Sequence, residues 1–270
     1  MKETTGPMMA IARRLMRGAA ALVAGLVVVP FVAHAQNEPV APFSTFYVTA
    51  GTLLMDVTKL NAHFRREDLP TTSGTGFYAL SNDGYSVGIG GYGPLSRKFV
   101  VGGEYHIADL GQESSPTGKT NQLETKYWMA TAGYAAFTTW HFSFVPYLGI
   151  GMGSATLTLK NRSGGATVPD TQDPTFDEVI ASPGLKSTMT GSYVIVQPGV
   201  ALDFLILRQQ ASTIGITLGM RLGTSISPNR MTWRYGSREV FGGPDLGPNG
   251  GTLRLVLGIG GFRMAGAGAR

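Results

Sequence analysis

Between Ser212 and Ile226 the chain alternates, with Thr224 the one polar residue between the apolar positions of one face. Ile214, Ile216, Leu218, Met220, Leu222 and Ile226 fall on one face, and Thr213, Gly215, Thr217, Gly219, Arg221, Gly223 and Ser225 on the other. A period of two sustained over about fifteen residues builds a strand with one apolar face; a helix would scatter the same residues around its circumference. Leu253, Leu255, Leu257 and Ile259 repeat the pattern opposite Arg254, Val256, Gly258 and Gly260. Phe99, Val101, Gly103, Tyr105 and Ile107 repeat it opposite Lys98, Glu104 and His106. Val194, Val196, Val200, Leu202, Phe204 and Ile206 do so opposite Tyr193, Gln197 and Asp203. Four further runs, Phe43–Val57, Gly84–Gly93, Thr125–Phe137 and Phe142–Leu159, alternate less cleanly, so the pattern predicts about eight strands.

The connections between these strands alternate in length. Pro94–Arg97, Thr138–His141 and Leu207–Ala211 are short; Thr58–Asp83, Gly111–Gln122, Lys160–Lys186 and Ser227–Gly250 are long. Antiparallel strands that cross a bilayer produce this asymmetry, with tight turns on the periplasmic side and longer loops outside.

Composition separates two architectures that share such strands. A soluble barrel would turn its second face to water, and 14% charged residues with 38 glycines make a poor aqueous surface. A narrow membrane barrel turns the apolar face to lipid and the small and polar face inward, where glycine makes room and a few opposite charges pair. Aromatic placement agrees with the second. Phe43, Phe46, Tyr92, Phe99, Phe137, Trp140, Phe142, Phe144, Phe204 and Phe262 lie near the short turns, and Tyr85, Tyr105, Tyr127, Trp128 and Tyr193 near the outer strand ends. Two interfacial girdles are expected of a membrane barrel.

The N-terminus reads as an export signal over residues 1–35: Arg13, Arg14 and Arg17, then apolar Ala19–Val32, then the small-x-small site Ala33-His34-Ala35. Met8 or Met9 could serve as the start. The formal charge is +5, but the leader carries four basic residues and one acidic, leaving +2 on residues 36–270. That small surplus argues against nucleic acid as a partner. There is no cysteine, which excludes a lipid-modified cysteine, disulfides and thiol catalysis.

The expected fold class is therefore all-β: an eight-stranded antiparallel up-and-down transmembrane barrel over residues 36–270. Its strand number, turn alternation, girdles and glycine-rich last strand Gly251–Phe262 resemble the small outer-membrane β-barrel superfamily, including the barrel of outer membrane protein A and the W-type barrels. Such proteins commonly end on an aromatic residue; here Phe262 is followed by Arg263–Arg270. The resemblance implies an envelope or surface role, and for the W-type a narrow pathway for small or apolar solutes.

Glu104, Lys126, Asp203, Arg221 and Arg254 are the candidate lumen ion-pair network, either a gate or a structural plug. Eight strands leave little more than side-chain room, which favours the plug. Arg230, Trp233, Arg234, Tyr235 and Arg238 form a candidate loop contact surface, since basic and aromatic groups together suit phosphates or an acidic partner. Asp170, Asp173, Asp177 and Glu178 gather carboxylates without calcium-loop spacing, and read as a solvated loop. His141-Phe142-Ser143 brings an imidazole near a hydroxyl, as in outer-membrane lipid A deacylases. It sits at a periplasmic turn, however, and lacks the Asn-Ala that follows the Ser there. Gly90–Gly93 and Gly149–Gly153 lack the helix a phosphate loop needs.

The sequence thus predicts a non-enzymatic outer-membrane protein with no cofactor and no metal. Its partners would be membrane lipid, lipopolysaccharide and a contact made through the long outer loops. The alternative is a narrow pore or transporter, and the third reading a lipid-modifying enzyme. The sequence does not indicate an oligomeric state.

Overall fold

A computed structural model describes residues 44–65, 76–139, 141–166, 173–208 and 214–261. The expected leader, Phe43, Trp140, Asp170 and Phe262 lie outside them. The strands are β1 (Ser44–Leu54), β2 (Asp83–Pro94), β3 (Phe99–Ser114), β4 (Lys119–Tyr134), β5 (Phe137–Thr138), β6 (Phe142–Asn161), β7 (Lys186–Arg208), β8 (Ile214–Ser225), β9 (Thr232–Tyr235), β10 (Arg238–Val240) and β11 (Gly250–Gly261). Two short helices are α1 (Thr58–Phe64) and α2 (Phe176–Ala181).

Eight strands, β1, β2, β3, β4, β6, β7, β8 and β11, pair antiparallel in chain order. β11 then returns to β1 from Ser44↔Gly261 to Leu53↔Thr252, so the sheet closes. The protein is an eight-stranded up-and-down barrel, and closure removes the edges an open sheet would expose. No helix among the described residues is long and apolar enough to cross a membrane.

The alternation decides which face is which. Phe46, Ile89, Ile150, Leu255, Leu257 and Ile259 all point outward and are more than half exposed. Thr45, Thr49, Ser86, Thr217 and Thr252 point inward and are buried. An apolar exterior around a small and polar interior inverts a soluble protein and suits lipid. Tyr85, Tyr105 and Trp128 ring one end of this exterior; Phe99, Tyr134, Phe137 and Phe204 ring the other. Three residues expected in the girdles are not there. Tyr92 is partly buried in the lumen, and Tyr127 and Tyr193 are buried at 1%, because each shares its parity with inward neighbours. Replacing Leu255 by Arg puts a charge on the lipid face and is expected to cost about 2–4 kcal/mol near the bilayer centre. The denaturant midpoint of barrels refolded into vesicles would report the loss.

The wall is uneven in height. β1, β2, β8 and β11 have 11 or 12 residues, whereas β3 and β4 have 16, β6 has 20 and β7 has 23. A tilted strand crosses the hydrocarbon in about 9–11 residues. On β6 that takes up Phe142 to Met152, and the strand beyond rises roughly 20 Å above the lipid at 3.3 Å per residue and a 40° tilt. The connection expected over Gly111–Gln122 is mostly strand for this reason. β3 and β4 continue to a four-residue turn, Ser115–Gly118, closed by Ser115 N–H donating to Lys119 C=O at 2.8 Å. Gly118 has φ +80°, which suits glycine there. With water outside, these extensions carry no apolar outward face for the sequence pattern to reveal; their apolar residues, such as Leu157 and Leu159, point inward.

Candidate functional site

Two layers fill the lumen. The lower layer, toward the short turns, is polar. Arg254 Nη1 donates to Glu104 Oε2 at 2.9 Å, and Tyr47 Oη donates to Glu104 Oε1 at 2.5 Å. His106 Nε2 lies 2.8 Å from Glu104 Oε2 and also touches Arg254 Nη1. Beside this group, Arg221 Nη1 donates to Asp203 Oδ1 at 2.7 Å and Tyr92 Oη to Asp203 Oδ2 at 2.7 Å. The Arg221 guanidinium also stacks over the Tyr47 and Tyr92 rings, at 5.0 and 5.6 Å. Gln197 ties Ser225 to Tyr147 with bonds of 3.1 and 2.9 Å.

Register explains the arrangement. Arg254 and Arg221 are directly opposite on β11 and β8, both inward, so two like charges share one level of the barrel. Each takes its own carboxylate, Glu104 from β3 and Asp203 from β7, leaving the set balanced if His106 is neutral. The buried charges are thus paired and hydrogen-bonded, the condition under which burial is tolerated. Glycine makes the space: a Cβ at Gly90 would lie 2.9 Å from Glu104 Cγ and 2.9 Å from Tyr47 Cε2. One at Gly219 would overlap the Asp203 carboxylate. The cleft among Tyr47, Tyr92, Tyr147, Glu104 and Arg221 has about 20 Å³ of room, enough for about one water.

Four of the five expected network residues meet here. Lys126 does not: it is exposed on the outer face and pairs with Glu124 at 2.7 Å. Thr125 and Tyr127 are the inward residues of β4, so its even-numbered neighbours face out. Sequence reading missed Tyr47, Tyr92, His106, Tyr147 and Gln197 as members. Tyr47 was legible by parity, sitting between Thr45 and Thr49, while Tyr92 was masked by the aromatic-girdle pattern.

The upper layer is apolar. Met55, Leu110, Leu123, Met129, Leu157, Leu159, Met189 and Ile195 line the barrel there and are buried. Lid residues cover them: Leu60 and Phe64 from α1, Phe176, Val179 and Ile180 from α2, and Trp233, Val240 and Leu246 from the last loop. His63 Nδ1 lies 2.6 Å from Asp177 Oδ1 and joins the two helices. Thr175 caps α2 with a reciprocal Glu178 contact, and the backbone N–H of Thr175 holds the Glu178 carboxyl below its ordinary range. Asp177 and Glu178 are thus used locally. Among the described residues no group of three or more His, Asp or Glu is placed to hold a metal ion.

The expected loop contact surface is split by the same alternation. β9 pairs with β7, so Trp233 points into the lid core at 1% exposure and donates Nε1–H to Pro244 C=O at 2.8 Å. Tyr235 packs against that core, with Arg238 over its ring at 5.4 Å. Arg230 and Arg234 are exposed. The aromatic half of the candidate surface therefore holds the lid rather than facing a partner. His141 and Ser143 also separate, the first exposed at a turn, the second buried at 1% in the lumen.

No family profile matches the chain, and no curated protein does. Solved structures similar to it include three outer-membrane proteins. The attachment invasion locus protein Ail of Yersinia pestis has a TM-score of 0.37 and 13% identity, over 82% of this chain and 98% of that one. A major outer membrane protein of Thermus thermophilus has 0.39 and 10%, over 81% and 98%. Neisserial surface protein A has 0.31 and 12%, over 84% and 100%. By strand number, closure and the sidedness of its faces, the chain has the fold of the small outer-membrane β-barrels.

Proposed function

We propose that the chain is a non-enzymatic protein of the bacterial outer membrane, exported by a leader at residues 1–35. Its barrel anchors a raised, sealed outer end that meets partners outside the cell. The observation that carries this reading is the two-layer lumen: paired charges below, an apolar core with a lid above. A conducting path needs open polar space along its length, and eight strands provide little. Membrane lipid and lipopolysaccharide surround such a barrel, and the exposed outer face is available to a further partner. Against catalysis, Ser143 Oγ has no hydrogen-bond partner among the described residues, so nothing activates it as a nucleophile.

Two measurements test this. In outer-membrane fractions the unboiled protein is expected to run as a compact band that shifts on boiling. In planar bilayers the purified barrel is expected to give no steady conductance. Ion-conducting steps that vanish in Glu104→Ala or Arg221→Ala would instead establish the narrow-pore alternative.

A further inference from the structure

The raised part of the wall carries an ordered outward face. Above the aromatic row Tyr105–Trp128–Met152–Val194 the pairing sets four polar rows across β3, β4, β6, β7 and β9. The lowest is Lys126–Ser154–Ser192–Thr232; next is Glu124–Thr156–Thr190–Arg234. Then come Gln112–Gln122–Thr158–Thr188 and, at the top, Ser114–Thr120–Lys160–Lys186. Apart from Ile107, the β3 partner of Lys126 in the lowest row, no large apolar side chain interrupts these rows, in contrast to the band directly beneath them.

The top row differs from the others in its charge. Lys160 and Lys186 are directly opposite on adjacent strands and both exposed. Neither has an ion pair among the described residues, whereas Lys126 has Glu124 and Arg234 faces Glu239 across β9 and β10. Like charges placed opposite on a sheet repel, so the fold holds this pair at a cost. Arg162 follows in the adjoining turn, exposed, its stem laid against Gly118. Ser114 and Thr120 complete the row with two hydroxyls 3.4 Å apart. Three cations beside a bank of hydroxyls and amides match a sugar bearing phosphate. The face also looks sideways over the bilayer rather than up into the medium, so in an outer membrane the sugars that rise above the headgroups of the surrounding leaflet stand against it.

We infer that the top row of this wall, Lys160, Lys186 and Arg162 with Ser114 and Thr120, binds the phosphorylated core saccharide of neighbouring lipopolysaccharide. The inference rests on the outer-membrane reading above and deepens it by naming a lateral partner. The outer sugar layer then braces the raised wall, and the two lysines gain the anion that their own sheet does not provide.

The test uses the full-length barrel refolded in detergent, with the temperature of the unboiled-to-boiled band shift as readout. Purified phosphorylated core oligosaccharide is expected to raise that temperature, and its phosphate-stripped counterpart is not. K160Q/K186Q should bind about tenfold more weakly or worse, since charge-assisted contacts are the strong ones. K126Q should respond like the parent. An equal response from K160Q/K186Q, an equal response to the stripped saccharide, no response at all, or a response confined to a free sulfated polysaccharide would overturn the inference. A parent protein without any heat-dependent shift would show instead that the membrane reading itself had failed.

Discussion

Asp203→Ala is expected to cost about 3–5 kcal/mol of barrel stability, the largest effect of any single lumen substitution. The carboxylate is fully buried and accepts from both Arg221 and Tyr92. Removing it leaves the Arg221 guanidinium unpaired at the level where Arg254 already stands opposite. The remaining carboxylate, Glu104, is held by Arg254, Tyr47 and His106 and cannot serve both arginines. The loss comes from stranding a charge, so taking away both partners should restore most of it. Asp203→Leu combined with Arg221→Met replaces the pair by apolar volume, and such exchanges are often neutral or better. Urea midpoints in lipid vesicles decide the matter. If the single variant is as stable as the parent, the lumen is wetter than a plug and the narrow-pore alternative gains.

Trp233→Ala should be the second largest effect, about 3–5 kcal/mol, but local. Trp233 is the bulkiest of the fully buried side chains and touches the Phe176 ring at 5.3 Å between centroids. It therefore joins the last loop to α2 over the apolar layer. Its removal is expected to free the connection between β8 and β11 for protease cleavage while leaving the barrel band compact and heat-modifiable. Arg234→Ala, one residue away on the outer face, should change neither. Unfolding of the whole barrel by Trp233→Ala would mean that lid and barrel form one cooperative unit.

The lipid-facing half of the architecture was legible because lipid imposes a rule on every second residue. Leu253, Leu255, Leu257 and Ile259, or Ile216 and Leu218, cannot vary freely in polarity, so their spacing announces strand, face and membrane together. The same rule assigned Glu104, Asp203, Arg221 and Arg254 to the interior. It failed at Lys126, whose strand continues above the bilayer into water, where either parity may be polar. It failed also at Gly111–Gln122, read as a loop although most of it is strand, and at Trp233, Tyr92, Tyr127 and Tyr193. Residue type favoured an interfacial or loop position for each of these aromatics, but their register placed them inside.

By itself, then, the sequence determined what two-residue periodicity and turn spacing can encode: eight strands, antiparallel order, an apolar outer face and a small, polar inner one. Only the tertiary structure decided which charges pair, because Glu104 and Arg254 lie 150 residues apart and meet through barrel closure. It alone revealed the unequal wall, the lid packed over an apolar layer, and Lys160 facing Lys186. Each depends on the register between strands, which is fixed by the pairing of the whole sheet and leaves no mark on any one segment.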